Sequence, residues 1–293
     1  MREYLINFMD SFEYPEEAKA ALLTCFDSMM ADADAASTIK GYIKKYENGE
    51  AYEHNAMLSD VTSSALAIGM PWQTAHLIMG ILLSKTLKRK YEEKGISEQI
   101  WHDTMLDFKC KLFECHRVYH IWGSFVGHWW AEFFSMNIFA LGRLQYQMKT
   151  FDRTYDDGEL HITPDTRALW IHIPSAGPLT KELRQDSYRR AREFFSDYFG
   201  DSPAIFICSS WLLYPEHENM LSPKSNVVDF MHDFKIIERI EFEKSNDLWR
   251  IFEDAYVLPY NMLPRNNSMR RAYAERLCEG KTVGRGVGFF VMQ

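Results

Sequence analysis

Residues 142–148 read Gly142-Arg143-Leu144-Gln145-Tyr146-Gln147-Met148, and the chain changes character there. Leu144, Tyr146 and Met148 alternate with Arg143, Gln145 and Gln147, the period-two pattern of a half-buried strand. Turn signals follow at Asp157-Gly158 and Thr163-Pro164-Asp165, which should return the chain into a second strand over Ala168–Ile173. A short loop then leads to a helix from about Lys181 to Phe199, with Leu183, Ser187, Tyr188, Ala191, Phe194, Phe195 and Tyr198 on its buried side. Further strands are predicted at Ala204–Cys208, Ile236–Phe242 and Val283–Val291. Short helices are predicted at Asn226–Phe234, Asp247–Phe252 and Met269–Cys278.

Before residue 141 the patterns are helical only. Pro15 with Glu16 and Glu17 fits a first helical turn, because proline needs no N–H there and acidic groups complement the dipole. Leu22, Phe26, Met29 and Met30 line one face of that helix. Pro71 opens a long helix to about Lys94, Gly95 supplies its stop and Ser97 the next cap. Trp101, Met105, Phe108, Leu112, Cys115, Tyr119 and Trp122 then recur at spacings of four and three, which predicts a buried seam. The fold class expected is α+β, a helical domain over 1–140 followed by a mixed α/β domain over 141–293.

Composition narrows the function classes. A chain of 293 residues with 46% hydrophobic and 25% charged residues is globular and long enough for two domains. Lys plus Arg is 33 against 41 Asp plus Glu, a net charge of −8, which disfavours a nucleic-acid partner. The start Met1-Arg2-Glu3-Tyr4-Leu5 lacks an export pattern, and the apolar stretch Ala65–Leu83 is broken by Pro71, Gln73, Thr74 and His76, so no membrane association is expected. Five scattered cysteines, Cys25, Cys110, Cys115, Cys208 and Cys278, suit free thiols in a reducing compartment, and a cytoplasmic protein is expected.

Several motifs are imitated and fail. Gly280-Lys281-Thr282 has Glu275 where a phosphate-binding loop needs its first glycine. Gly284, Gly286 and Gly288 lie too near position 293 for a nucleotide-binding helix to follow, so they should instead admit another backbone or a ligand on one strand face. His116 and His120 share a helix face, but Cys115 belongs to the apolar seam and Cys110 lies on a different side, so no metal site is expected.

The blocks Ile171-His172-Ile173-Pro174-Ser175-Ala176-Gly177-Pro178-Leu179, Ser187–Phe195, Cys208–Pro215 and Ser225-Asn226, with Leu263-Pro264, Ser268–Ala272 and the alternating glycines, resemble a bacterial family of acyltransferases. The resemblance covers nearly the whole chain in the family's order. It implies a helical N-terminal domain and a GNAT-like C-terminal domain with a central, mostly antiparallel sheet. It further implies transfer of an acyl group, acetyl being the expectation, from coenzyme A to an amine by direct attack. Acetyl-CoA or another acyl-CoA would be co-substrate rather than a tightly bound cofactor, and the partner a small-molecule amine.

On that resemblance the donor's pyrophosphate would lie on Ile173, Ser175, Ala176, Gly177 and Leu179 and at the helix start, with Lys181 and Arg184 supplying charge. The loop has one glycine, and Pro178 has no amide to offer. His172 is the candidate base or else a hydrogen-bonded structural histidine. Tyr214 is the candidate acid or a packing residue, and Cys208 a candidate acyl carrier or a small buried hydrophobe. Ser210 and Trp211 would line the substrate pocket, or Trp211 would pack. Arg143 and Gln145 would either orient an acidic substrate or bind loop carbonyls. The alternative to an enzyme is a GNAT-shaped binding or scaffold protein that has lost the pyrophosphate loop.

Overall fold

The computed structural model describes residues 1–242 and 247–293. They form two compact units, Met1–Asn137 and Ile138–Gln293.

The first unit comprises α1 (Arg2–Ser11), α2 (Glu16–Ala31), α3 (Ala33–Asn48), α4 (His54–Ala67), α5 (Trp72–Glu93), α6 (Glu98–Tyr119) and, after a 3-10 turn, α7 (Ala131–Phe134). The expected signals operate locally. Pro15 precedes Glu16 and Glu17 at the start of α2, and the Ser97 hydroxyl accepts from the Ile100 amide at the start of α6. Every residue from Thr74 to Ser84 in α5 is buried, as for a helix surrounded by others. No described helix is long and apolar enough to cross a membrane. The α6 seam is buried from Trp101 to Cys115, but Tyr119 is 43% exposed. The reason is that His120 takes a left-handed conformation, φ 56°, which ends the helix and removes Trp122 from its period. His116 instead stacks on Trp122 at 3.6 Å between ring centroids. Gly123 is required by close approach, since a Cβ there would lie 2.4 Å from the Gln73 carbonyl carbon.

The second unit contains, in chain order, β1 (Ile138–Leu141), β2 (Leu144–Thr150), β3 (Tyr155–Asp156), β4 (His161–Ile162), β5 (Arg167–His172), α8 (Lys181–Phe194), α9 (Ser196–Phe199) and β6 (Ala204–Ser210). They are followed by α10 (His217–Met220), α11 (Asn226–Met231), β7 (Lys235–Phe242), α12 (Trp249–Phe252), α13 (Ser268–Cys278) and β8 (Val283–Met292). Six strands make one sheet in the order β1-β2-β5-β6-β8-β7, and β3 with β4 forms a separate ribbon. The sheet is mixed. Every neighbouring pair is antiparallel except β5 with β6, which α8 links as a parallel crossover.

Helix α8 covers one face. Tyr146 and Phe206 on the strands meet Tyr188 and Phe290 there, and Phe206 stacks on Phe290 at 4.8 Å. The Ser187 hydroxyl donates to Leu141 O, accepts from the Leu144 amide and meets the Tyr146 hydroxyl, which pins the helix to the β1–β2 turn. The buried stripe of α8 runs through Arg184, Ser187, Tyr188 and Ala191. Leu183, expected inside, lies about 100° off that stripe and is 44% exposed. The other face carries Ile205, Ile207, Val287 and Phe289 against Phe151 and Ile162. Strand β2 also departs from expectation, because its polar side is buried at Gln145 and Gln147.

The alternating glycines admit backbone. A Cβ at Gly286 would lie 2.0 Å from Leu213 O, and one at Gly284 would lie 2.1 Å from Ile240 O.

Candidate active site

Strands β5 and β6 pair only at Leu169 with Phe206 and Trp170 with Ile207. Beyond that point β5 continues to His172 and β6 to Ser210 without pairing, so the two strands part. Residues 173–180 leave the open end of β5 and enter the first turn of α8. Ser175, Ala176 and Gly177 are exposed, Ile173 is half-buried and Leu179 is buried.

Two arginines order this loop. The Arg143 guanidinium donates to Pro174 O at 2.9 Å, Gly177 O at 2.8 Å and Pro178 O at 2.8 Å. Arg184 donates to Leu179 O at 3.0 Å. A trans peptide directs each N–H opposite to the preceding carbonyl, so the Ser175 and Leu179 amides point away from Arg143. Of the alternatives open to Arg143, the structure places its guanidinium on loop carbonyls. Gly177, at φ 113°, makes the bend that lets the carbonyls on either side of it converge.

Arg184 is not an available surface cation. Its side chain is 0% exposed and pairs with Asp229 at 2.8 Å and Asp233 at 2.8 Å, so its charge is spent inside the fold. Reading the sequence missed both aspartates, although carboxylates four apart are a helical spacing. Lys181 is exposed at the start of α8 and its charge helps hold Asp229 below the usual carboxylate range, after the Arg184 hydrogen bond. At the same helix start the Glu182 carboxylate accepts from its own backbone N–H and from the Thr180 hydroxyl, which lowers its pKa.

His172 closes β5, opposite Gln145 in β2. Its Nε2 lies 3.1 Å from Gln147 Oε1. An amide oxygen only accepts, so in this pairing the histidine donates through Nε2–H. Gln147, overlooked in the sequence as one more polar residue of β2, is thus one hydrogen-bond partner of the histidine.

The remaining candidates lie elsewhere in the fold. Cys208 is wholly buried mid-strand opposite Gly288, and burial pushes its thiol pKa well up, so an acyl carrier there has neither access nor a thiolate. Tyr214 is buried. Its hydroxyl donates to Glu241 at 2.9 Å and accepts from Arg276 at 2.9 Å, and burial followed by the Glu241 bond raises its pKa. The Ser210 hydroxyl accepts from the Leu212 amide, forming the turn after β6. Trp211 is half-buried and packs edge-on against His217 and Tyr273 beside the small core of α12, α13 and β8. The loop and His172 therefore lie together at the parting of β5 and β6, while Tyr214, Cys208 and Trp211 are held by the contacts just given.

Comparison with known proteins follows the same division. Residues 3–136 match the N-acyltransferase N-terminal domain and residues 138–290 the GNAT-like C-terminal domain. No curated protein matches the sequence. A crystal structure of an acyltransferase in complex with decanoyl-CoA and teicoplanin superposes with a TM-score of 0.75 at 20% identity, over 98% of this chain and 87% of that one. An acyltransferase mutant in complex with octanoyl-CoA gives 0.76 at 20% identity, over 99% and 88%. An acyltransferase in complex with CoA and 10C-teicoplanin gives 0.75 at 19% identity, over 98% and 87%. These likenesses establish the fold, and the domain matches establish the family: the chain belongs to the acyltransferases that join an N-acyltransferase N-terminal domain to a GNAT-like C-terminal domain.

Proposed function

We propose that the protein is an acyl-CoA-dependent N-acyltransferase. The observation that carries this reading is the parting of β5 and β6 above a loop whose carbonyls are drawn back by Arg143, beside the start of α8. Amides presented at a helix start favour a pyrophosphate. Glu182 is exposed and rotates aside when an anion takes its place. The reaction is direct. The acceptor nitrogen attacks the thioester carbonyl, His172 takes the ammonium proton, the carbon–sulfur bond breaks, and coenzyme A leaves as a thiolate that takes that proton back from the His172 imidazolium. Tyr214 and Cys208 take no part in it, on the burial described above.

For the acyl group, acetyl is the expectation from sequence, whereas structural neighbours hold octanoyl- and decanoyl-CoA, so a medium-chain donor is the one to test first. Purified protein is titrated with octanoyl-CoA, acetyl-CoA and, as control, adenosine diphosphate. At about 100 times Kd a ligand stabilises by about 2.7 kcal/mol, a rise of roughly 5–10 °C in melting temperature. The expected order is octanoyl-CoA above acetyl-CoA above the control, and His172→Ala is expected to bind the donor normally and lose transfer. The second reading, a non-catalytic binding protein, is favoured by Pro178 and by Glu182 at the helix start. Absence of any shift at millimolar acyl-CoA would establish it in place of the first.

A further inference from the structure

A glycine-rich loop can turn its own amides toward a phosphate, because glycine takes either sign of φ. The 173–180 loop has one glycine, Gly177, and Pro178 after it has no N–H. Its orientation is set from outside. The residue that sets it is Arg143, which lies 31 to 35 positions before the carbonyls it holds.

Arg143 is itself firmly placed. It is the second central residue of the turn between β1 and β2, where Leu141 pairs with Leu144. Gly142 ahead of it has φ 77° and Arg143 keeps φ negative, the glycine-first order of a II′ hairpin turn. The Ser187 hydroxyl bonds Leu141 O and the Leu144 N–H on either side, so this turn is tied to α8, the helix that the loop enters. From that base the half-buried Arg143 sends Nε to Pro178 O, Nη1 to Pro174 O and Nη2 to Gly177 O. A guanidinium can hold three carbonyls because its donors spread in one plane, whereas an ammonium is a single point.

The Leu179 carbonyl is turned to Arg184 in the same way. The amides of Ser175, Leu179 and Thr180 therefore face away from the two arginines. No described backbone carbonyl accepts from the Leu179 or Thr180 N–H, and both precede the first turn of α8, whose dipole adds to their attraction for an anion.

We propose that Arg143 is the positioning residue for the diphosphate of acyl-CoA, acting through the loop it holds rather than as a charge on the phosphates. This rests on the acyl-CoA reading of the loop and adds that affinity for the co-substrate is set from the β1–β2 turn. The test is calorimetric titration of the full chain with octanoyl-CoA, for the wild type, Arg143→Ala, Arg143→Lys, Gly177→Ala and the double variant Arg143→Ala with Gly177→Ala. A Cβ at Gly177 meets nothing within 4 Å, so alanine there strains only the φ of 113° that makes the bend.

Arg143→Ala should raise the Kd about tenfold or more, and Arg143→Lys nearly as much, because it keeps the charge and loses the fork. Gly177→Ala should raise it as well. The double variant should stay within about twofold of the weaker single, since both changes spoil one loop, whereas independent effects multiply. Where Arg143→Ala does not fold, Arg143→Lys carries the same expectation. Wild-type affinity in Arg143→Lys overturns the proposal and makes Arg143 a charge that acts on the phosphates directly. Multiplying effects in the double variant, or an Arg143→Ala Kd within about twofold of wild type, overturn it and leave the acyl-CoA reading standing. No binding of octanoyl-CoA by the wild type at millimolar concentration removes that reading and the proposal together.

Discussion

The helical unit and the sheet unit are held together at different ranges. Between the helices side chains set the separation, Gly123 against the Gln73 main chain being an exception in the loop after α6, and a glycine such as Gly41 in α3 has nothing within 4 Å of where a Cβ would stand. In the sheet unit, backbone meets backbone. The Gly286 position is closed by Leu213 O at 2.0 Å, and four carbonyls of the 173–180 loop are held by Arg143 and Arg184. The helical unit therefore tolerates change according to which face a residue occupies, and the sheet unit according to which main-chain atoms pass beside it.

Four measurements press on that contrast. The largest effect is expected for Gly286→Ala, whose Cβ would overlap the Leu213 carbonyl and force β8 away from the 211–213 turn. The cost should be on the order of 4 kcal/mol, seen as loss of soluble folded protein or a greatly lowered melting point. Melting within about 2 °C of wild type would break the comparison. Next is Arg184→Ala, which strips the partner from Asp229, Asp233 and Leu179 O at once. Removing one member of a buried ion pair costs about 3–5 kcal/mol, and with the Asp229 side chain 45% exposed the lower end, about 3 kcal/mol, is expected in the urea midpoint.

A third effect, for each histidine no larger than the Arg184 loss, comes from pH and should be felt in both units alike. Burial pushes the pKa of His76 in α5 and of His217 in α10 down to about 4. The unfolded chain takes up these protons near pH 6.5 and the folded chain only near 4. Stability from these two groups is therefore complete above about pH 6.5 and is lost as pH falls from there towards 4, by up to about 3 kcal/mol for each. Urea midpoints measured across that range should slope downward with acid, and His217→Asn should flatten part of the slope. The smallest effect is Gly41→Ala, which should stabilise the helical unit by about 0.5–1 kcal/mol by restricting the unfolded chain. A loss there would show that α3 packs more closely than its open surroundings indicate.

The helical elements were legible because their signals are local. A proline at a first turn, a serine cap or a four-and-three seam acts within a few residues of itself, and α2, α5 and α6 begin as those signals predict. The seam misled only after Cys115, where a single left-handed residue, His120, cancels the period that Tyr119 and Trp122 seemed to continue. The site was half legible. His172, the loop and Arg143 could be named from strand, turn and helix signals. The partners that give them their roles could not, because Gln147 is 25 residues from His172, and Asp233 is 49 from Arg184.

By itself the sequence determined the change from helices to a sheet near residue 141, most of the element boundaries and the family resemblance, since each depends on neighbours along the chain. Tertiary structure alone decided the charge and access of each candidate. It buried the Cys208 thiol, committed Arg184 to two aspartates, and tied Tyr214 to Glu241 and Arg276. The reason is that solvation and electrostatics act through space. They are set by which distant residues the fold brings within a few ångströms, and spacing along the chain does not record that distance.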